Sequence, residues 1–173
     1  MPRIPTSRFQ RHYSPIAEAL EPGRDRDRAM RCVCDALWSA FGGPGDGRGI
    51  SWVGFYTLDS SGDQMTLAVC RDTPACSPIG MHGVCGQGCT LGQPLVVDDI
   101  ATLGGGYIAC DPRDVSEVVV PLFDTEGLCW GVLDADSHDR GAFSDADVEG
   151  LVSVLRASSL TRMDDRLGSP VYL

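Results

Sequence analysis

The chain has 173 residues, with 14 Lys and Arg against 24 Asp and Glu, for a net charge of -10. That length suits one domain whose hydrophobic core stands without disulfide staples. The charge disfavours nucleic acid and anionic membrane surfaces, and no apolar run approaches the roughly 20 residues of a spanning helix. The opening MPRIPTSRFQ lacks a signal-type apolar segment, so the expectation is a soluble cytoplasmic protein.

Residues 1–13 read as a flexible N-terminal arm, 14–161 as the domain and 162–173 as a C-terminal tail. A short helix is expected over 14–21. A second follows, because Met30, Val33, Leu37 and Phe41 recur at three- and four-residue spacing. GGPGDGRG, 42–49, stops it. ISWVGFYTL, 50–58, is rich in β-branched and aromatic residues and reads as a strand, with 64–70 as its hairpin partner. Residues 71–93 carry many turn-forming residues and read as loop. A short strand is expected over 94–99 and a strong pair over 117–123 and 128–136. Pro121 lacks a donor, which restricts it to an edge, a bulge or a strand end. A last helix starts near Ser144, where Asp147 completes a capping box in place of the usual Glu. The sum is an α+β fold: a central antiparallel β-sheet flanked by N- and C-terminal helices.

Alternation along 128–136 puts Trp130, Val132, Asp134 and Asp136 on one face and Cys129, Gly131, Leu133 and Ala135 on the other. Trp52, Gly54 and Tyr56 share a face in the same way. Two aromatics with two carboxylates suit a small cationic or zwitterionic ligand, the acids receiving an ammonium and an indole covering an apolar or sulfur-bearing part. The plain alternative is that Trp52 and Tyr56 pack the sheet while the aspartates cap a turn.

Eight cysteines invite three readings: metal binding, thiol chemistry and core packing. Cys76, Cys85 and Cys89 with His82 lack the close paired spacing of a zinc knuckle, so no metal site is expected. Cys32, Cys34 and Cys129 lie inside predicted elements and read as core residues, and Cys70, at a strand end, as structural. Cys110 sits in a loop, YIACDPRDVSE, ahead of a hydrophobic strand and followed by Asp111, Asp114 and Glu117. Arg113 reads as facing water.

WVGFY (52–56), PAC (74–76), GVCG (83–86), IACD (108–111), SEVVVPL (116–122) and GVLDADS (131–137), in that order, resemble the free methionine-(R)-sulfoxide reductases. The resemblance runs from about residue 28 to 155 and implies a GAF-like domain. It implies that Cys110 attacks the sulfoxide, that Cys76 resolves the product with Cys85 as its competitor, and that Trp52, Tyr56, Glu117, Asp134 and Asp136 line the substrate pocket. Cys89 stands outside that trio. Glu117 is the first candidate for proton donor to the sulfoxide oxygen, the aspartates holding the amino group. The implied activity is reduction of free L-methionine (R)-S-oxide through a cysteine sulfenic acid and an intramolecular disulfide, with no bound cofactor. Thioredoxin or a similar dithiol is the implied reductant and a homodimer the implied assembly. The non-enzymatic alternative is a GAF-type sensing or interaction domain.

Overall fold

A computed structural model describes residues 9–43, 49–72, 75–105, 107, 109–162 and 169–173. Seven strands form one sheet: β1 (Trp52–Leu58), β2 (Gln64–Arg71), β3 (Ile79–Gly80), β4 (Leu95–Val97), β5 (Ser116–Phe123), β6 (Cys129–Ser137) and β7 (Val171–Tyr172). Their order is β3-β2-β1-β6-β5-β4-β7. Every neighbouring pair is antiparallel except β4 with β7, so the sheet is mixed rather than wholly antiparallel. The parallel edge strand comes from the expected C-terminal tail.

Helices α1 (Ser14–Ala19), α2 (Arg26–Phe41) and α4 (Asp145–Ala157) contribute Ile16, Val33, Leu37, Val148, Leu151 and Leu155 to a core shared with Val53, Phe55, Val118, Val120, Leu122, Leu133 and Ala135 of the sheet. Asp25 starts α2 by accepting from the backbone N–H groups of Asp27 and Arg28. This satisfies donors that a helix leaves open at its first turn. At α4 the Asp147 carboxylate accepts from the Ser144 N–H at 2.9 Å and from its hydroxyl at 3.0 Å.

That same carboxylate anchors the chain's beginning. Arg11 donates to Asp147 Oδ1 at 2.8 Å and to the Ala142 carbonyl at 2.9 Å, and the buried Tyr13 hydroxyl donates to Asp147 Oδ1 at 2.8 Å. Of the arm expected over 1–13, residues 11–13 are therefore held on the core, because Asp147 offers a buried charge for Arg11. Residues 1–8 lie outside the described set.

Three sequence expectations need correction. Within 71–93 lies a helix, α3 (Val84–Leu91), despite Gly86 and Gly88. A Cβ at 86 would fall 2.3 Å from the Met81 backbone, and one at 88 would fall 2.9 Å from Val119 Cγ1. The glycines let α3 lie close on β5 and β6, so packing overrides their weak helix propensity. Second, the alternation of β6 breaks at Trp130. Phe123 pairs with Cys129 and Leu122 with Gly131, leaving Trp130 as an extra residue, a β-bulge. The bulge turns Trp130 to the helix-covered face, where the Arg26 guanidinium stacks 4.3 Å from its ring centroid, and turns Cys129 to the opposite face. Third, Cys32 is exposed on α2, whereas Cys34 is buried. Pro121 lies past the last β4 partner, Leu95 against Val119, where the ladder on that side has ended.

Candidate functional site

Strand register assembles the site. Trp52 of β1 lies opposite Asp136 of β6, and Asp136 lies opposite Glu117 of β5. In the next rung on the same face Gly54, Asp134 and Val119 stand in line, then Tyr56, Val132 and Pro121. Sequence alternation put these residues on the faces of separate strands. Only the β1–β6–β5 order makes them one surface. Gly54 is required there, since a Cβ would sit 2.4 Å from Trp52 Cη2. The indole lies across that gap and packs against Tyr56, centroids 6.0 Å apart.

Above this floor lies a cavity of about 300 Å³. Its roof comes from the chain before and into α3, including Cys76, His82 and Cys85, and from the segment carrying Tyr107, Cys110 and Asp114. Cys76 and Cys110, 34 residues apart, form a disulfide with Cα atoms 5.6 Å apart. The Tyr56 hydroxyl donates to the Cys76 carbonyl at 2.8 Å, tying the roof to the floor. All eight residues selected from the sequence, Trp52, Tyr56, Cys76, Cys85, Cys110, Glu117, Asp134 and Asp136, line this one cavity. Cys76 and Cys89 are bridged to different partners, Cys110 and Cys129.

The electrostatics are those of acids crowded out of water. Glu117 is 3% exposed, and burial raises its pKa from the usual 4.5 to about 7 even though Tyr107 donates to Oε2 at 2.7 Å and favours the charged form. Burial, then neighbouring negative charge, pushes Asp134 and Asp136 well above the ordinary carboxylate range. Ligand atoms of Cys85, Glu117 and Asp134 all lie within 4.8 Å of one another. Burial, with Asp134 and Glu117 nearby, raises the Cys85 thiol as well. Such a cluster retains protons near neutrality. Asp134 Oδ1 is buried without a hydrogen-bond partner among the described residues, and Asp134 lines the cavity.

Of the other acids here, Asp111 is held down by an ion pair, whereas burial raises Asp114 as it does the floor acids. Arg113 reaches Asp111 through Nε at 3.0 Å and Nη2 at 2.7 Å, and these bonds hold Asp111 down at about 2. Arg113 is exposed, as expected, but its charge is taken up by Asp111. Asp114 lines the cavity and accepts from the Ser51 hydroxyl at 2.9 Å. The sequence reading assigned no role to Tyr107 or Asp114. Their only signal was proximity to Cys110, three residues before and four after it.

A buried carboxylate floor under a cysteine pair, on a mixed sheet backed by helices, defines a small-ligand domain with a redox-capable roof. Residues 23–158 match the GAF domain family, and the chain belongs to that family. It is similar to the free methionine-R-sulfoxide reductase of Escherichia coli, 38% identical over 104 residues, 59% of this chain and 60% of that protein. It is also similar to the free methionine-R-sulfoxide reductase of Saccharomyces cerevisiae, 35% identical over 104 residues, 59% of this chain and 57% of that protein. The matched stretch thus spans less than two thirds of these curated relatives. Among solved structures, the free methionine-R-sulfoxide reductase of Neisseria meningitidis in complex with its substrate superposes with a TM-score of 0.72 at 31% identity, covering 88% of this chain and 92% of that one. Among the described residues no helix is long and apolar enough to cross a membrane.

Proposed function

We propose that the protein reduces free L-methionine (R)-S-oxide to methionine by thiol chemistry. The observation that carries this reading is the Cys76–Cys110 disulfide lying over the Trp52, Glu117, Asp134 and Asp136 floor. Asp134 and Asp136 receive the substrate ammonium, for which Asp134 Oδ1 is the open acceptor. The Trp52 face holds the methyl-sulfide end.

The Cys110 thiolate attacks the sulfoxide sulfur while protonated Glu117 delivers a proton to the oxygen. Transfer of that oxygen to Cys110 releases methionine and leaves a cysteine sulfenic acid. Cys76 attacks the sulfenic sulfur, water departs and the disulfide forms. The sum is one sulfoxide and two thiols converted to one sulfide, one disulfide and one water. An external dithiol of thioredoxin type restores both thiols by exchange, and no bound cofactor takes part. A homodimer is part of the same proposal, and sedimentation equilibrium tests it.

Separate R and S isomers of free methionine sulfoxide, supplied with thioredoxin, thioredoxin reductase and NADPH, test the reading. The R isomer turns over, the S isomer does not, and Cys110→Ser falls to background, a loss on the order of 10⁴-fold or more. Binding of the R isomer without turnover in the wild type overturns the enzymatic reading in favour of a sensor.

A further inference from the structure

The attacking sulfur and the acid of the reaction above come from separate elements, Cys110 from a loop and Glu117 from β5. One side chain links them. Tyr107 lies three residues before Cys110 on the segment that roofs the cavity, and its hydroxyl donates to Glu117 Oε2 at 2.7 Å. The Tyr107 ring packs against the apolar cluster of the cavity face, which includes Val84, Leu95 and Val97. Its backbone N–H donates to the Gly104 carbonyl at 3.3 Å, so the residue is held from both ends.

The sense of this bond follows from its donors and acceptors. A phenol has one proton to give. Among the described residues, Glu117 Oε2 is the only acceptor that the Tyr107 hydroxyl meets. A Glu117 proton placed on Oε2 and aimed at Tyr107 would leave the phenol proton without that partner. With Tyr107 donating to Oε2, the acid proton takes Oε1, which has no hydrogen-bond partner among the described residues. Burial, then the Glu117 charge, raises the Tyr107 hydroxyl well above the usual tyrosine range, so it stays a donor whatever the state of Glu117. The other ionisable groups around Glu117 act in the opposite sense. They are Asp114 in the loop after Cys110, Asp134 and Asp136 on β6, and Cys85 on α3. Negative charge on any of them holds the proton on Glu117.

We propose that Tyr107 is the positioning residue of the proton donor: its bond to Oε2 keeps the Glu117 proton on Oε1 and stabilises the carboxylate left when that proton goes to the sulfoxide oxygen. The proposal rests on the reductase reading with Glu117 as donor. In the step, the Oε1–H bond breaks, an O–H bond forms on the sulfoxide oxygen, and the negative charge spreads over both carboxylate oxygens. The Tyr107 bond then becomes charge-assisted, so it is stronger after transfer than before. An interaction that strengthens along the reaction lowers the barrier instead of merely tightening substrate binding. The same bond works against burial in setting the acid near 7, where it is still protonated and still ready to give its proton up.

Tyr107→Phe removes the hydroxyl and keeps the ring. Pre-reduced wild type and variant are mixed with excess (R)-sulfoxide, and methionine formed in the first turnover is followed from pH 5.5 to 9.5, which keeps the reductant out of the rate. The falling limb, near pH 7 in the wild type, moves up by about one to two pH units in the variant. The rate below that limb drops several-fold, because a weaker acid transfers its proton more slowly. The two profiles therefore cross, the variant being slower at pH 6 and faster at pH 9. A limb that stays in place or moves down overturns the proposal, whether or not the variant is slower, since lost packing alone slows it at every pH. Should Tyr107→Phe not fold, 3-fluorotyrosine at 107, a stronger donor of nearly the same shape, moves the limb down, and an unmoved limb again overturns the proposal. A wild-type profile with no fall near 7 removes Glu117 as donor, and Tyr107 with it, while the reductase reading stands. No methionine from the wild type overturns that reading as well.

Discussion

The two faces of the sheet are built from the same strands by the same alternation, yet they do opposite work. On one face Val53, Phe55, Val118, Val120, Leu133 and Ala135 meet the helices as hydrocarbon. On the other, positions one residue along the same strands hold Trp52, Tyr56, Glu117, Asp134 and Asp136 around a cavity. The first face supplies burial free energy, at roughly 25 cal/mol per Å² of apolar surface. The second spends some of it, holding Glu117 and Asp134 buried and Asp136 half-buried, where water solvates their charge poorly.

Substitutions on either face should separate the two roles. Phe55→Ala empties a fully buried position of the helix-covered face. It should cost about 3–5 kcal/mol in urea unfolding, with kcat per folded molecule close to wild type. Glu117→Gln should do the reverse. It should lower kcat by about 10²–10⁴-fold while leaving the fold intact. The wild-type kcat should fall as pH rises through about 7, where Glu117 gives up the proton it must donate. The variant's profile should lose that fall, and a variant that keeps it removes Glu117 from the donor role.

The same group carries a stability signature. Its proton is held to about 7 in the folded chain but is lost near 4.5 when unfolded. Between those values the folded state binds more protons, so stability falls as pH rises, by on the order of 3 kcal/mol for this group. Burial of Asp134 and Asp136 acts in the same direction. Urea midpoints should therefore be higher at pH 5 than at pH 7.5, with a smaller difference in Glu117→Gln. The smallest effect lies farthest from the cavity. Tyr13→Phe removes one hydrogen bond to the Asp147 carboxylate and should cost about 1–2 kcal/mol by thermal unfolding, with turnover unchanged.

Much of this was legible in the residues. Met30, Val33 and Leu37 announced α2, Ser144 and Asp147 announced the start of α4, and the alternation of 52–56 put Trp52, Gly54 and Tyr56 on one face. What escaped were features whose cause lies elsewhere in the chain. The glycines of α3 are explained by Met81 and Val119, and the reversal at Trp130 by a bulge against Leu122 and Phe123. Tyr107 matters through a carboxylate ten residues away.

The sequence by itself determined which residue types were present, which sides of the strands they took outside the Trp130 bulge and where two of the main helices lay, because periodicity and capping act over a few residues. Tertiary structure alone decided that β1 and β6 are neighbours, that Cys76 rather than its competitor Cys85 is bridged to Cys110, and that Cys129 meets Cys89. Those pairings depend on strand order and on one inserted residue, and side-chain chemistry read along the chain carries no information about which distant partner closes the loop.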